Sequence, residues 1–154
     1  MPVSMPSRYF LLTLILTVGV FIAIGFQYKI SRNSSFPQQE YLVIGERRWQ
    51  LLERAATDVT RRQGLAGYDS LPRGFGMLFD FDTLAYHSFW MRGMNFPLDV
   101  VFIQGDIVDS VVSHREPGDL RPMQPREPVD RVLEVNAGEA EGIHPGDKVR
   151  IIKE

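Results

Sequence analysis

The chain has 154 residues, a formal net charge of −2 and no cysteine. That length holds one domain and little else, and the missing thiols exclude disulfides and cysteine-ligated metal while fitting any compartment. Charge is placed unevenly: the first 32 residues carry Arg8, Lys29 and Arg32 and no acid, whereas residues 33–154 hold 14 basic and 19 acidic side chains, no footprint for nucleic acid.

From Tyr9 to Phe26 run 18 residues without a charge. As a helix they span about 27 Å, close to the thickness of a bilayer core. A segment apolar all round at this place predicts a membrane-inserting helix, so residues 1–32 are assigned to an N-terminal anchor. No small-residue cleavage site follows the apolar run, which favours an uncleaved anchor over a removed signal. Basic residues flank both ends, so the positive-inside rule decides nothing. The common arrangement of a short anchor followed by one domain places the globular part outside the cytoplasm, in the periplasm or at the cell surface. Residues 33–39, NSSFPQQ, are polar and turn-rich and make a linker.

The globular domain then covers residues 40–154. Tyr41–Ile44 and Arg48–Arg54 are predicted strands around a Gly45–Glu46 turn, with Trp49 and Leu51 alternating against Arg48 and Gln50. Thr57 is a suitable N-cap for a short helix over Asp58–Gln63, which Gly64 stops. The stretch from Gly74 to Ile103 is densely aromatic, and Phe75–Phe81 and His87–Met91 are predicted strands within it. Leu98–Ile103 and Ile107–Val112 form a hairpin about Gln104-Gly105-Asp106. The first of these is apolar on both faces apart from Asp99, which places it centrally. Four prolines within Ser113–Asp130 forbid regular pairing there. Arg131–Val135 and Val149–Ile152 are further strands, separated by a helical turn at Ala137–Glu141. Strands outnumber helices and do not alternate with them. The expected class is therefore α+β: a mainly antiparallel, barrel-like β-sheet with one or two short helices, preceded by the transmembrane helix.

Six motifs occur in order: Arg62–Gly67, Gly76–Phe79, Phe89–Arg92, Pro97–Phe102, Val132–Val135 with Ala137-Gly138, and Gly142–Asp147. Together they resemble the uncharacterised family called domain of unknown function 192, over residues 40–154. The resemblance implies a small strand-dominated α+β domain, often carried behind an export signal or anchor, with no established reaction. The family usually continues its tryptophan-methionine pair with lysine, asparagine and threonine. Here Arg92-Gly93-Met94 stands instead, so the cation remains and the amide and hydroxyl are gone.

No catalytic set is recognisable. His87, His114 and His144 lack metal-ligand spacing, and the serines Ser70, Ser88, Ser110 and Ser113 lack an elbow motif. No metal and no cofactor is expected. Asp80 and Asp82 read as the wet side of a strand whose Phe79 and Phe81 point inward. Glu134 reads as solvated, or paired with Arg131 or Lys148, opposite Leu133 and Val135. Asp99 needs a partner within its apolar strand, and Arg92 is the nearest cation in sequence. The candidate binding residues are Trp90, Arg92, Phe96, Asp99 and His114, on a rim formed by Arg92–Pro97 and the proline-rich loop. The leading expectation is a non-catalytic binding or accessory module held at the membrane through residues 9–26, with an envelope glycan or peptide as ligand. The alternatives are a hydrolase of an envelope substrate with Asp99 as acid or base, and a structural dimerisation domain.

Overall fold

The computed structural model describes residues 38–154, so the expected anchor and most of the expected linker lie outside the described residues. Seven strands and one helix follow in the order β1 (Glu40–Ile44), β2 (Arg47–Ala55), α1 (Asp58–Gln63), β3 (Phe75–Ala85), β4 (Leu98–Gln104), β5 (Ile107–Arg115), β6 (Val129–Asn136) and β7 (Val149–Lys153). They form one sheet, ordered β5-β4-β6-β3-β2-β1-β7. Every pairing is antiparallel except β2 with β3. That exception follows from α1, since a strand–helix–strand passage returns the chain in its original direction.

The sheet curls until its two outer strands meet. Ile107 of β5 bridges Lys148 just before β7, and Val108 and Asp147 add a 2.9 Å bond from the Val108 N–H. The expected barrel-like curvature is present, closed at one corner by this seam. Both hairpins that shape it turn on a glycine in the left-handed region, Gly45 and Gly105, each at φ +58°, which a side chain would strain.

Two hydrophobic cores result. One takes residues from every strand, among them Leu42, Trp49, Leu78, Val101, Val108, Leu133 and Val149, and fills the concave interior. The other lies on the opposite face of β3, β4 and β6, where Met77, Phe79, Val100, Phe102 and Val132 are roofed by Leu65, Met91, Phe96 and Met123. With both faces covered, β4 is buried at every position from Leu98 to Ile103. Trp49 faces the interior as alternation predicts. A register shift between Leu51 and Glu53 then turns the strand over, so that Ala55 joins the outer core.

Helix α1 begins as expected. Thr57 and Thr60 form a reciprocal capping box, Asp58 occupies the first turn and Gly64 ends the helix at φ +49°. Two elements differ from the sequence reading. The segment His87–Met91 is not a strand; it makes a single bridge, Phe89 with Met123. Pro122 and Pro125 flank that partner and remove the donors a ladder would need. Ala137–Glu141 is a run of turns rather than a helical turn, with Gly138 and Gly142 at φ +86° and +81°. Strand β5 also continues through Arg115, so the irregular part of the proline-rich loop is 116–128.

Candidate functional site

Asp99 comes first, because its surroundings decide whether it is available for chemistry. It is fully buried, on the interior face of β4 with Val101 and Ile103. Its Oδ1 accepts the His114 N–H at 2.8 Å, and its Oδ2 accepts those of Gly138 at 2.8 Å and Ala140 at 2.9 Å. These charge-assisted bonds satisfy a buried carboxylate with no side-chain cation. The expected pairing with Arg92 does not form. Asp99 instead ties β4 to the end of β5 and to the turns after β6.

The other sequence-selected residues divide between two places. His114 lies at the β5 end, exposed, at φ +53°, the one non-glycine residue in the left-handed region among those described. Its Nε2 is 3.1 Å from a Glu116 carboxylate oxygen. Phe96 is buried in the outer core. Trp90 and Arg92 lie together at the surface: Trp90 is 53 % exposed, and the Arg92 guanidinium sits 5.6 Å from the centre of its ring. Of the five, Trp90 and Arg92 line the cleft described next and Phe96, Asp99 and His114 do not, so the structure does not gather them into one site.

That cavity is a cleft of about 290 Å³ between α1 and the 87–94 segment. Arg61, Arg62, Gly64 and Leu65 form one wall. Phe89, Trp90, Arg92 and Met94 form the other, and Phe79 and Phe81 rise from β3 beneath them. The aromatic rings support one another edge to face, with Phe79 and Phe89 centred 5.0 Å apart, while His87 stacks on Phe81 at 3.5 Å. Arg61 is committed to the protein: it bonds the Asp80 carbonyl and the Asp58 carboxylate and lies over the Phe81 ring. Arg62 and Arg92 are exposed, and no carboxylate pairs with either among the described residues.

Glu134 lines the same cleft. Sequence alternation places it in solvent, but it is 5 % exposed. The cause lies in β6, which is covered on both faces: Leu133 and Val135 enter the interior core, and Val132, two residues before Glu134, enters the outer one. In register, Glu134 stands between Met77 of β3 and Val100 of β4, neither of which offers a hydrogen bond. Its Oε2 has no hydrogen-bond partner. Burial alone pushes its carboxyl up to about 8, since an ion in this setting loses hydration and gains nothing in return. The signal for it was present in the sequence. In Val129–Asn136, VDRVLEVN, the polar pair Asp130-Arg131 ends at Val132, and the apolar Val132, Leu133 and Val135 on both faces leave no wet side for Glu134.

Among the described residues no cluster of three His, Cys, Asp or Glu side chains could hold a metal ion. The family model for domain of unknown function 192, described as Uncharacterized ACR, COG1430, matches residues 42–151. The chain belongs to the DUF192 family. A crystal structure of a protein of unknown function from Novosphingobium aromaticivorans is similar to it at 31 % identity and a TM-score of 0.66, over 73 % of this chain and 83 % of that one. A conjectured transcription regulator from Sinorhizobium meliloti is similar at 29 % identity and a TM-score of 0.67, over 73 % and 92 % of the two chains. No curated protein matches. In this DUF192 domain the Arg92-Gly93-Met94 segment falls on the cleft: Arg92 and Met94 line it, while Gly93, at φ +76°, accepts the Gly67 N–H through its carbonyl at 3.2 Å.

Proposed function

We propose that this protein is a membrane-tethered, non-catalytic binding module: residues 9–26 hold it to the bilayer, residues 40–154 lie outside the cytoplasm, and the cleft beneath Trp90 receives a small ligand. One observation carries the binding reading. Glu134 is a buried carboxyl with an oxygen that nothing among the described residues bonds, and it lines a cavity walled by aromatic rings and by Arg62 and Arg92, which no carboxylate pairs among those residues. An orphaned buried polar atom costs on the order of 1–3 kcal/mol, and such groups are kept where a ligand completes them. The non-catalytic part is supported by Asp99, whose two oxygens are already held by three backbone amides. Tethering is supported by the uncharged run Tyr9–Phe26.

Trp90 supplies the test. The chain has two tryptophans, so a Trp49→Phe variant leaves Trp90 as the only indole. Its emission should shift when the protein is titrated with small organic ions and sugars of envelope type. An emission that no member of such a set moves would remove the cleft as a ligand site. For placement, alkaline phosphatase fused after Glu154 should be active in cells; an inactive fusion puts the domain in the cytoplasm.

A further inference from the structure

We infer that the cleft takes a small zwitterion, a molecule carrying both an ammonium group and a carboxylate as free amino acids do, with the ammonium on Glu134 and the carboxylate at Arg62 and Arg92. The inference rests on the cleft being the ligand site and adds the chemical class.

Three features of the cleft point the same way. First, Glu134 wants a donor that arrives with a positive charge. A neutral hydroxyl or amide adds a hydrogen bond to the protonated acid and no charge, whereas an ammonium bonds the carboxyl oxygens and stabilises the carboxylate that forms when the proton leaves. Second, Phe79, Phe81 and Phe89 line the cleft, and Phe81 already takes the Arg61 guanidinium over its ring at 5.1 Å, so this wall suits an organic cation and does nothing for an anion. Third, the mouth has the opposite character. Arg62 and Arg92 have no carboxylate partner among the described residues, so a simple amine would enter against two cations. A carboxylate at the outer end of the same ligand turns that repulsion into two charge-assisted contacts. Size limits the choice further: about 290 Å³ is at the small end of ligand pockets, which run from roughly 300 to 1,000 Å³. A single amino acid fits that scale and a glycan chain or folded peptide does not.

Binding in this mode discharges a proton. Glu134 is protonated in the empty cleft near neutral pH and must ionise to pair with the ammonium, so affinity rises as pH rises toward about 8. The charged and titratable groups facing the cleft are Asp58, Arg61 and Arg62 from α1, and His87 and Arg92 from the 87–94 segment. Strands β3 and β4 set only Met77, Phe79 and Val100 around Glu134. A ligand that merely accepts the Glu134 proton has the opposite dependence and binds better in acid.

The experiment is isothermal titration of the full-length chain in detergent with L-leucine, L-phenylalanine, γ-aminobutyrate and ε-aminocaproate, which vary the body and the charge separation. N-acetyl-L-leucine and L-leucinamide serve as probes that each lack one charge. At least one zwitterion should bind, more tightly by up to about tenfold per pH unit between roughly pH 6 and pH 8. Both single-charge probes should bind at least about tenfold more weakly, and Glu134→Gln should abolish the pH dependence while Arg62→Ala weakens binding without altering it. Equal or tighter binding of N-acetyl-L-leucine, affinity that rises in acid, or no zwitterion binding at millimolar concentration would each overturn the inference. In the first two of those cases the cleft still binds, so the binding reading stands. It falls separately if Trp90 emission answers to nothing.

Discussion

Replacing Glu134 with glutamine isolates the energetic cost of the buried carboxyl. Glutamine has nearly the same shape and is neutral, like the protonated acid. Burial raises the Glu134 carboxyl from 4.5 to about 8 in the folded protein, while the unfolded chain keeps the ordinary value. Below about pH 4.5 both states hold the proton, and the group costs nothing through its charge. Between the two values the unfolded state binds fewer protons than the folded one, so stability falls as pH rises, by about 1.4 kcal/mol per unit. Above pH 8 the loss is complete. From pH 5 to pH 8 the wild type should therefore lose on the order of 4 kcal/mol relative to Glu134→Gln. For a folded body of this size that corresponds to a melting difference of roughly 10–15 °C at pH 8, shrinking toward zero near pH 5. Urea unfolding followed by circular dichroism at several pH values gives the two curves, and their difference removes the contribution of every other titrating group. Parallel curves, or a wild type that gains on the variant as pH rises, would refute the burial argument.

Asp99→Asn should destabilise the fold by roughly 2–4 kcal/mol, because the new amide nitrogen must face at least one of three buried N–H donors; urea midpoints measure this, and an unchanged midpoint contradicts the clasp described for Asp99. Gly76→Ala should cost about 1–3 kcal/mol, since a Cβ there would lie 2.9 Å from Leu133 Cδ1 and 3.2 Å from the Glu134 carbonyl oxygen; thermal melts report it. Arg54→Ala removes ion pairs at 2.7 Å to Asp80 and 3.4 Å to Glu40, yet its side chain is 39 % exposed and the loss should stay below about 1 kcal/mol by the same melts. Trp90→Ala should leave the melting temperature within about 2 °C, as befits an exposed residue, and weaken any cleft ligand at least fivefold in titration calorimetry.

Much of this architecture is legible from pattern alone. The unbroken apolar run of β4 announces a strand covered on both faces, and Gly45 and Gly105 announce the hairpins. Thr57 with Gly64 brackets α1 to the residue. What pattern could not supply is contact with groups that carry no sequence signature. Asp99 visibly needs a partner, and the nearest cation, Arg92, is the natural choice by separation. The actual partners are main-chain amides of His114, Gly138 and Ala140, present in any sequence and brought together only by the curl of the sheet. Glu134 was misplaced for a related reason. Alternation assigns a strand one dry face and one wet face, and that rule fails when loops and a helix roof the outer side. The same roofing hides Phe96 and leaves Trp90 and Arg92 at the mouth of a cavity floored by Phe79 and Phe81 of β3, to which Glu134 is added by a strand some forty residues later.

Strand β1 lies between β2 and β7, and its neighbour Gln39 exchanges two backbone bonds with Glu154, the last residue of the chain, at 2.9 and 3.0 Å. The first strand of the domain therefore finds one of its two partners only after β7, the last strand of the domain, has been made. Until then β1 presents an open edge, and the loop that must close spans nearly the whole domain, a slow step entropically. A nascent chain stalled before β7 should remain protease-sensitive and available to chaperones or a translocation channel, whereas emergence of β7 should zip it shut.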